Sequence, residues 1–131
     1  MIAKGIKHLI EEAMDQIVTV PVQDAIAVLG QDNIQFIDIR DVRELWRDGT
    51  IPGAYHAPRG MLEFWVDPDS PYHKNIFASD KEFIFFCAAG SRSALATKMV
   101  QDMGLGKVSH IEGGFATWRD QGGAIVEVDQ K

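Results

Sequence analysis

The sequence contains a single cysteine, Cys87, among its 131 residues. One cysteine cannot form an internal disulfide, and no cysteine or histidine cluster has the spacing of metal ligands. We therefore expect no disulfide framework, no metal site and no cofactor. A chain of this length with 46% hydrophobic residues can bury the core of one domain without such supports. Cys87 is then either a small buried apolar side chain or a nucleophile.

Basic residues are also scarce. The chain has 13 Lys and Arg against 19 Asp and Glu, a formal net charge of -6. No run of Lys or Arg provides the positive surface that nucleic acids and anionic membranes require. We therefore expect neither as a partner, and an anionic small molecule would need a local binding site.

Long hydrophobic runs are missing as well. The N-terminal segment MIAKGIKHLIEEAMDQ carries Glu11, Glu12 and Asp15, which is unlike a signal peptide, and no stretch is long enough to span a bilayer. We therefore expect a cytoplasmic protein.

The same N-terminal segment has apolar residues at helical spacing: Ile6, Leu9, Ile10, Ala13, Met14 and Ile17. This pattern predicts that residues 1–16 form an amphipathic helical extension of a domain at 17–131. The helix is expected to pack on its own domain, and binding of a partner is the alternative.

Short apolar runs alternate with helical patterns in the rest of the chain. Strands are predicted at 34–38, 82–87 and 108–111, and helices at 22–29, 41–48, 91–103 and 115–122. This alternation predicts a single α/β domain with a mostly parallel central sheet and helices on both faces. In such sheets ligands bind beyond the carboxyl ends of the strands, and Cys87 lies at one of these ends.

Small and polar residues follow the cysteine: Ala88, Ala89, Gly90, Ser91, Arg92 and Ser93. They allow a tight turn into a helix that Ser91 or Ser93 can cap. Loop amides at a helix N-terminus, with Arg92 nearby, form an anion site, and the same field favours a thiolate over a thiol. This combination favours the nucleophile over the buried apolar side chain.

Three separated motifs resemble those of the rhodanese-like sulfurtransferases. They are the loop CAAGSRS, the upstream stretch DIRDVRELWRDGTIPGAYHAP at 38–58, and the downstream stretch IEGGFATW at 111–118. The resemblance covers about residues 17–124. Thr50 departs from the pattern, because many members of the family carry histidine at this position.

The resemblance implies a sulfurtransferase reaction. The Cys87 thiolate would take the outer sulfur of a small anionic donor such as thiosulfate and pass it from a persulfide to cyanide or a thiol, including a protein thiol. The amides of residues 88–93 would bind the oxyanion, with Arg92 assisting. Asp38 and Arg40 would support the site, and Asp38 would do so by bracing the loop amides. The i,i+4 spacing of Arg40 and Glu44 predicts an ion pair between these two side chains.

Two other readings stay open. Phosphatases and arsenate reductases also place a cysteine before an oxyanion loop that ends in arginine, but their loops generally have five intervening residues, whereas four separate Cys87 from Arg92. The chain could instead be a sulfur carrier or a partner-binding module that keeps the fold.

Side chains outside the loop are given mainly structural roles. His56 and His110 are expected to be structural histidines with satisfied hydrogen bonds. The aromatic residues of the long segment 59–77, Phe64, Trp65 and Tyr72, would either cover the core or line the mouth of the active site.

Overall fold

The computed structural model describes residues 1–130 and shows one parallel sheet. Its strands are β1 (Thr19–Val20), β2 (Ile34–Asp38), β3 (Tyr55–His56), β4 (Glu82–Phe86) and β5 (Val108–Ile111). The spatial order is β1-β5-β4-β2-β3, and all neighbouring strands are parallel. The predicted α/β fold is confirmed. The strands β1 and β3 were not predicted, because a run of two residues leaves no periodic pattern.

Helices connect these strands and cover both faces of the sheet. The α-helices are α1 (Ile6–Gln16), α2 (Val22–Ala27), α3 (Val42–Asp48), α4 (Leu62–Val66), α5 (Ser91–Met103) and α6 (Gly114–Asp120). Two 3₁₀ turns occupy Arg59–Met61 and Asn75–Ala78. The four helices predicted after residue 17 are present with ends within two residues of the prediction, whereas the helix of the N-terminal extension begins at Ile6 rather than at residue 1. No helix in residues 1–130 is long and apolar enough to cross a membrane.

The central strand β4 contributes to two separate apolar clusters because successive side chains point to opposite faces of a sheet. Phe83, Phe85 and the following Cys87 belong to the cluster covered by α4 and α5. Ile84 and Phe86 belong to the cluster covered by α2 and α6. Cys87 thus continues the alternation of β4, and its side chain points under the N-terminus of α5.

The N-terminal helix α1 packs on α5, and its Ala13 is fully buried. The Gln101 side-chain amide also donates to the Gln16 carbonyl at 2.8 Å. The predicted packing on the chain's own domain is therefore present, although Ile6 and Met14 remain exposed on the outer part of the stripe.

The segment between β3 and β4 divides its aromatic residues between core and surface. Trp65 packs against the cluster that contains Cys87 and meets the Tyr55 ring edge-on at 6.3 Å. Phe64 and Tyr72 form a similar pair at 6.3 Å but are more than half exposed. Trp65 therefore covers the core, as one of the two predictions for this segment states.

Candidate active site

The carboxyl ends of β2, β4 and β5 meet at one edge of the sheet. Asp38 is the last residue of β2, Cys87 follows β4 directly, and Glu112 follows β5. Because the three strands are neighbours in the order β5-β4-β2, the motifs that are separated in the sequence lie side by side at this edge.

The Cys87 sulfur lies inside the curled loop that joins β4 to α5. Backbone N–H groups of Gly90 and Ser93 donate to Sγ at 3.1 and 3.3 Å. Gly90 has φ +104°, a left-handed conformation that turns its amide towards the sulfur and that other residues rarely adopt. Two amide donors at the start of α5 stabilise negative charge on the sulfur, and the residue is only 1% exposed.

The loop carbonyls point away from the sulfur, towards α6. The N–H of Phe115 donates to the Cys87 carbonyl at 2.8 Å, and the N–H of Ala116 donates to the Ala88 carbonyl at 3.0 Å. Gly114 permits this contact, because a Cβ at its φ of +65° would lie 2.6 Å from the Cys87 carbonyl oxygen. The first turn of α6 therefore fixes the loop orientation in which amides face inward.

The expectation that Ser91 or Ser93 caps α5 is wrong. Gly90 is the N-cap residue, and no side chain caps the helix. Ser91 is exposed, as are Ala89 and Arg92, whereas Ala88 is partly buried and Ser93 is fully buried. Ser93 is drawn inward because its hydroxyl lies between the Cys87 sulfur, at 3.6 Å, and the His110 ring.

Arg92 is near the loop, but its guanidinium is paired with Glu44. Two hydrogen bonds of 2.9 and 3.0 Å join the groups. Arg92 lowers the pKa of Glu44 by hydrogen bonding, and Glu44 raises the pKa of Arg92. Glu44 also accepts from the Asp41 N–H at 2.9 Å in a capping box at the start of α3. The positive charge predicted to assist an anion is thus compensated by a fixed carboxylate.

Arg40 does not pair with Glu44, which corrects the i,i+4 expectation. Its guanidinium bonds to the Asp38 carboxylate at 3.0 and 2.7 Å and to the Gly49 carbonyl at 2.7 Å. The guanidinium carbon also lies over the Phe115 ring, 4.3 Å from its centroid. Arg40 is drawn into the interior because the fully buried Asp38 carboxylate compensates its charge there, whereas Glu44, one helical turn away, is only partly buried.

The expectation that Asp38 braces the amides of the cysteine loop is wrong. The Asp38 oxygens accept from the Arg40 N–H at 3.1 Å and from the Thr50 hydroxyl at 2.8 Å, in addition to the guanidinium. Asp38 and Arg40 are buried to 0% and 1% exposure. They hold the end of β2 against the turn that contains Gly49 and Thr50.

His110 has hydrogen-bond partners on both ring nitrogens, which confirms the prediction that its hydrogen bonds are satisfied. Nδ1 lies 2.9 Å from the Ser93 hydroxyl and Nε2 lies 3.0 Å from the Thr19 hydroxyl. Burial lowers the pKa of His110 to about 4, so the ring is neutral at neutral pH. The Ser93 hydroxyl lies between this histidine and the Cys87 sulfur. His56 similarly meets the Arg40 carbonyl at 2.6 Å.

A groove of about 230 Å³ runs along the cysteine loop. One wall is formed by Ile10 and Met14 of α1, the other by Ala89, Gly90 and Ser91 of the loop, and Thr19, His110, Glu112 and Gly113 complete the lining. Sequence reasoning missed Glu44, Thr19 and His110 as neighbours of the loop. Of these three, only His110 carried a signal in the sequence, because it lies near the end of the predicted strand at 108–111. Residues 1–130 contain no group of three or more His, Cys, Asp or Glu side chains placed to hold a metal ion.

Comparisons with known proteins agree with this geometry. The family model of the Rhodanese-like domain matches residues 21–121. The human thiosulfate:glutathione sulfurtransferase is 25% identical over 109 residues, which span 79% of this chain and 94% of the human protein.

Two solved structures are similar over most of the chain. The polysulfide-sulfur transferase homodimer of Wolinella succinogenes is 26% identical with a TM-score of 0.70, covering 93% of this chain and 87% of its own. A Rhodopseudomonas palustris protein, described as of unknown function and a possible tyrosine phosphatase, is 55% identical with a TM-score of 0.94, covering 96% and 97%. From the matched residues, the fold and the cysteine loop, we conclude that this chain belongs to the rhodanese-like domain family.

Proposed function

We propose that the protein is a sulfurtransferase that carries a sulfur atom on Cys87. The observation that carries this proposal is the position of Sγ, which accepts N–H bonds from Gly90 and Ser93 at the start of α5. Such donors stabilise a thiolate nucleophile and, afterwards, the negative charge of a persulfide. The similarity to a thiosulfate:glutathione sulfurtransferase gives further support.

In the first half-reaction the Cys87 thiolate attacks the outer sulfur of thiosulfate. The new bond joins Sγ to that sulfur, the sulfur–sulfur bond of thiosulfate breaks, and sulfite leaves with the electron pair. In the second half-reaction cyanide or a thiolate attacks the outer sulfur of the persulfide, and the Cys87 thiolate is released. No general base is needed for sulfite to leave, and the two steps predict ping-pong kinetics. The proposed partners are thus a small anionic donor and cyanide, a small thiol or a protein thiol.

A phosphatase is the second candidate, because the 55% identical structure from Rhodopseudomonas palustris is described as a possible tyrosine phosphatase. One observation weighs against it here. Only four residues separate Cys87 from Arg92, which leaves a short loop of amides for a tetrahedral phosphoryl group.

A direct test compares the two activities on the wild-type protein. After incubation with thiosulfate, intact-mass measurement is expected to show one added sulfur that cyanide removes as thiocyanate. An aryl phosphate incubated with the same preparation is expected to be hydrolysed slowly or not at all. Aryl phosphate hydrolysis without sulfur loading from thiosulfate or mercaptopyruvate would replace the sulfurtransferase proposal with the phosphatase one. Inactivity with all three compounds would favour a carrier or partner-binding module.

Glu44 and Arg92 provide a matched pair of variants for the anion site. Glu44→Gln keeps an acceptor for the Asp41 N–H but removes the charge that holds Arg92, so the guanidinium can turn to an oxyanion. We expect sulfite to protect Cys87 from iodoacetate about three- to tenfold better in Glu44→Gln and correspondingly less well in Arg92→Ala.

The measurement is the alkylation rate at several sulfite concentrations. Iodoacetamide serves as the control, because the arginine should affect this uncharged reagent much less than the anionic one. Equal protection by sulfite in wild type and both variants would show that Arg92 takes no part in anion binding.

A further inference from the structure

A continuous chain of hydrogen-bonding groups connects the Cys87 sulfur to the groove beside α1. The sulfur lies 3.6 Å from the Ser93 hydroxyl, that hydroxyl lies 2.9 Å from Nδ1 of His110, and Nε2 lies 3.0 Å from the Thr19 hydroxyl. The three residues come from α5, β5 and β1, and we call them the Ser93–His110–Thr19 chain. Only its outer end, at Thr19, is partly exposed.

Because the Cys87 sulfur is buried, its proton needs a path to solvent, and the Ser93–His110–Thr19 chain can provide one. Cys87 is 1% exposed, so few water molecules contact its thiol in the resting protein. The two amides that contact the sulfur are donors and cannot accept that proton. The Ser93 hydroxyl is the one side-chain group in residues 1–130 that is within hydrogen-bonding distance of Sγ and can both accept and donate.

Because the imidazole is neutral, the hydrogen bonds of the chain can all donate from the sulfur towards Thr19 or all donate from Thr19 towards the sulfur. Burial alone lowers the pKa of His110, so one ring nitrogen carries a proton and the other accepts. With a thiol, S–H donates to Ser93, the Ser93 hydroxyl donates to Nδ1, and Nε2–H donates to Thr19. With a thiolate, the Thr19 hydroxyl donates to Nε2, Nδ1–H donates to Ser93, and the Ser93 hydroxyl donates to the sulfur.

We propose that the Ser93–His110–Thr19 chain conducts the Cys87 proton to the groove, which makes His110 a positioning residue for ionisation of the nucleophile. The thiol proton moves to Ser93 as the Ser93 proton moves to Nδ1, the Nε2 proton moves to Thr19, and the Thr19 proton passes to a water or buffer base in the groove. Three bonds to hydrogen re-form within the chain, so no net charge remains on it. Cys87 is left as the thiolate, with Ser93 as a third donor to its sulfur.

The charged groups around the path are few. Glu112 lines the groove at the outer end, and the Arg92–Glu44 pair lies beside the loop at the inner end. Neither contacts the imidazole, whose hydrogen-bond partners in the described chain are two hydroxyls. The proton is therefore passed between groups that are all neutral.

In turnover this inference rests on the proposed function, but ionisation of Cys87 can be measured without a sulfur donor. Stopped-flow absorbance of the thiolate after a jump from acid to mildly alkaline pH reports Cys87 alone, because the chain has no other cysteine. A Cys87→Ser protein supplies the background signal. If the variants ionise at the wild-type rate but the protein is loaded with sulfur normally, only the proton path is rejected. If the variants slow ionisation but no donor loads the protein with sulfur, only the sulfurtransferase proposal is rejected.

His110→Gln is the decisive variant. Glutamine keeps a donor and an acceptor for the two hydroxyls but cannot take a proton on one atom and release another, so a purely structural role would be preserved. We expect thiolate formation to slow by about tenfold or more, with little change in the final thiolate fraction. Ionisation at the wild-type rate would overturn the proposal.

Thr19 gives an independent test if His110→Gln does not fold. Thr19→Val removes the outer hydroxyl at constant shape and should slow ionisation, whereas Thr19→Ser keeps the hydroxyl and should not. Equal rates in the two Thr19 variants would also overturn the proposal. A slow rate in Thr19→Val with normal Thr19→Ser behaviour would support it.

Discussion

Replacing Cys87 with serine is expected to abolish persulfide formation and thiocyanate production, a loss on the order of a thousandfold or more. Serine at this position cannot form a persulfide, and the chain has no second cysteine that could take over. The fold should be retained, because a hydroxyl fits the same space and accepts from the same two amides, and the free energy of unfolding should fall by about 1–2 kcal/mol.

Intact mass after incubation with thiosulfate, the rate of thiocyanate formation and a urea unfolding curve would be measured on the same preparation. Wild-type protein provides the control for each. Substantial turnover by Cys87→Ser would place the sulfur chemistry on another residue, and loss of the folded state would make the activity measurement meaningless for this variant.

Asp38→Ala is expected to have the largest effect on stability, about 3–5 kcal/mol. The carboxylate receives the guanidinium of Arg40 and the hydroxyl of Thr50 in a fully buried position, and its removal leaves the Arg40 charge with the Gly49 carbonyl and the Phe115 ring. Breaking one side of a buried ion pair costs more than the pair contributes, because the remaining charge has lost its water and its partner.

Asp48→Ala is the matched control for this variant. It removes an ion pair of the same chemistry, between Asp48 and Arg47, whose arginine side chain is two-thirds exposed. We expect a loss of at most about 1 kcal/mol there, because exposed pairs are weakened by water and salt. Chemical unfolding followed by tryptophan fluorescence would compare the two. Similar losses in both variants would show that the Asp38–Arg40 pair is not effectively buried.

The central features of the fold could be predicted from local pattern. The apolar run that ends at Cys87 indicated a strand covered on both sides, and the helix at 91–103 was predicted with the same bounds that the structure shows. Both depend on side chains close together in the sequence, where periodicity reports directly which face is buried. Because parallel strands end at one edge, the position of Cys87 followed from the same pattern.

The side-chain partners around the site depend on tertiary contacts and could not be predicted in this way. The i,i+4 rule paired Glu44 with Arg40, but a buried carboxylate takes Arg40 and leaves Glu44 for Arg92, which is 48 residues away. Thr19 and His110 are 91 residues apart in the sequence, and their contact exists only because β1 and β5 are adjacent. Spacing along the chain carries no information about such pairs.

The strand order also determines when during synthesis the site can exist. In the described sheet β1 pairs only with β5, which lies between β1 and β4. The N-terminal strand β1 therefore cannot pair until β5, the strand nearest the C-terminus, has been synthesised. The carbonyls of Cys87 and Ala88 likewise have no α6 amides to bind until residues 115 and 116 have left the ribosome. A nascent chain therefore presents its cysteine well before α6 can fix the loop that carries the Gly90 and Ser93 amides. The proposed reactivity of the sulfur would thus be a property of the completed domain rather than of the loop sequence alone.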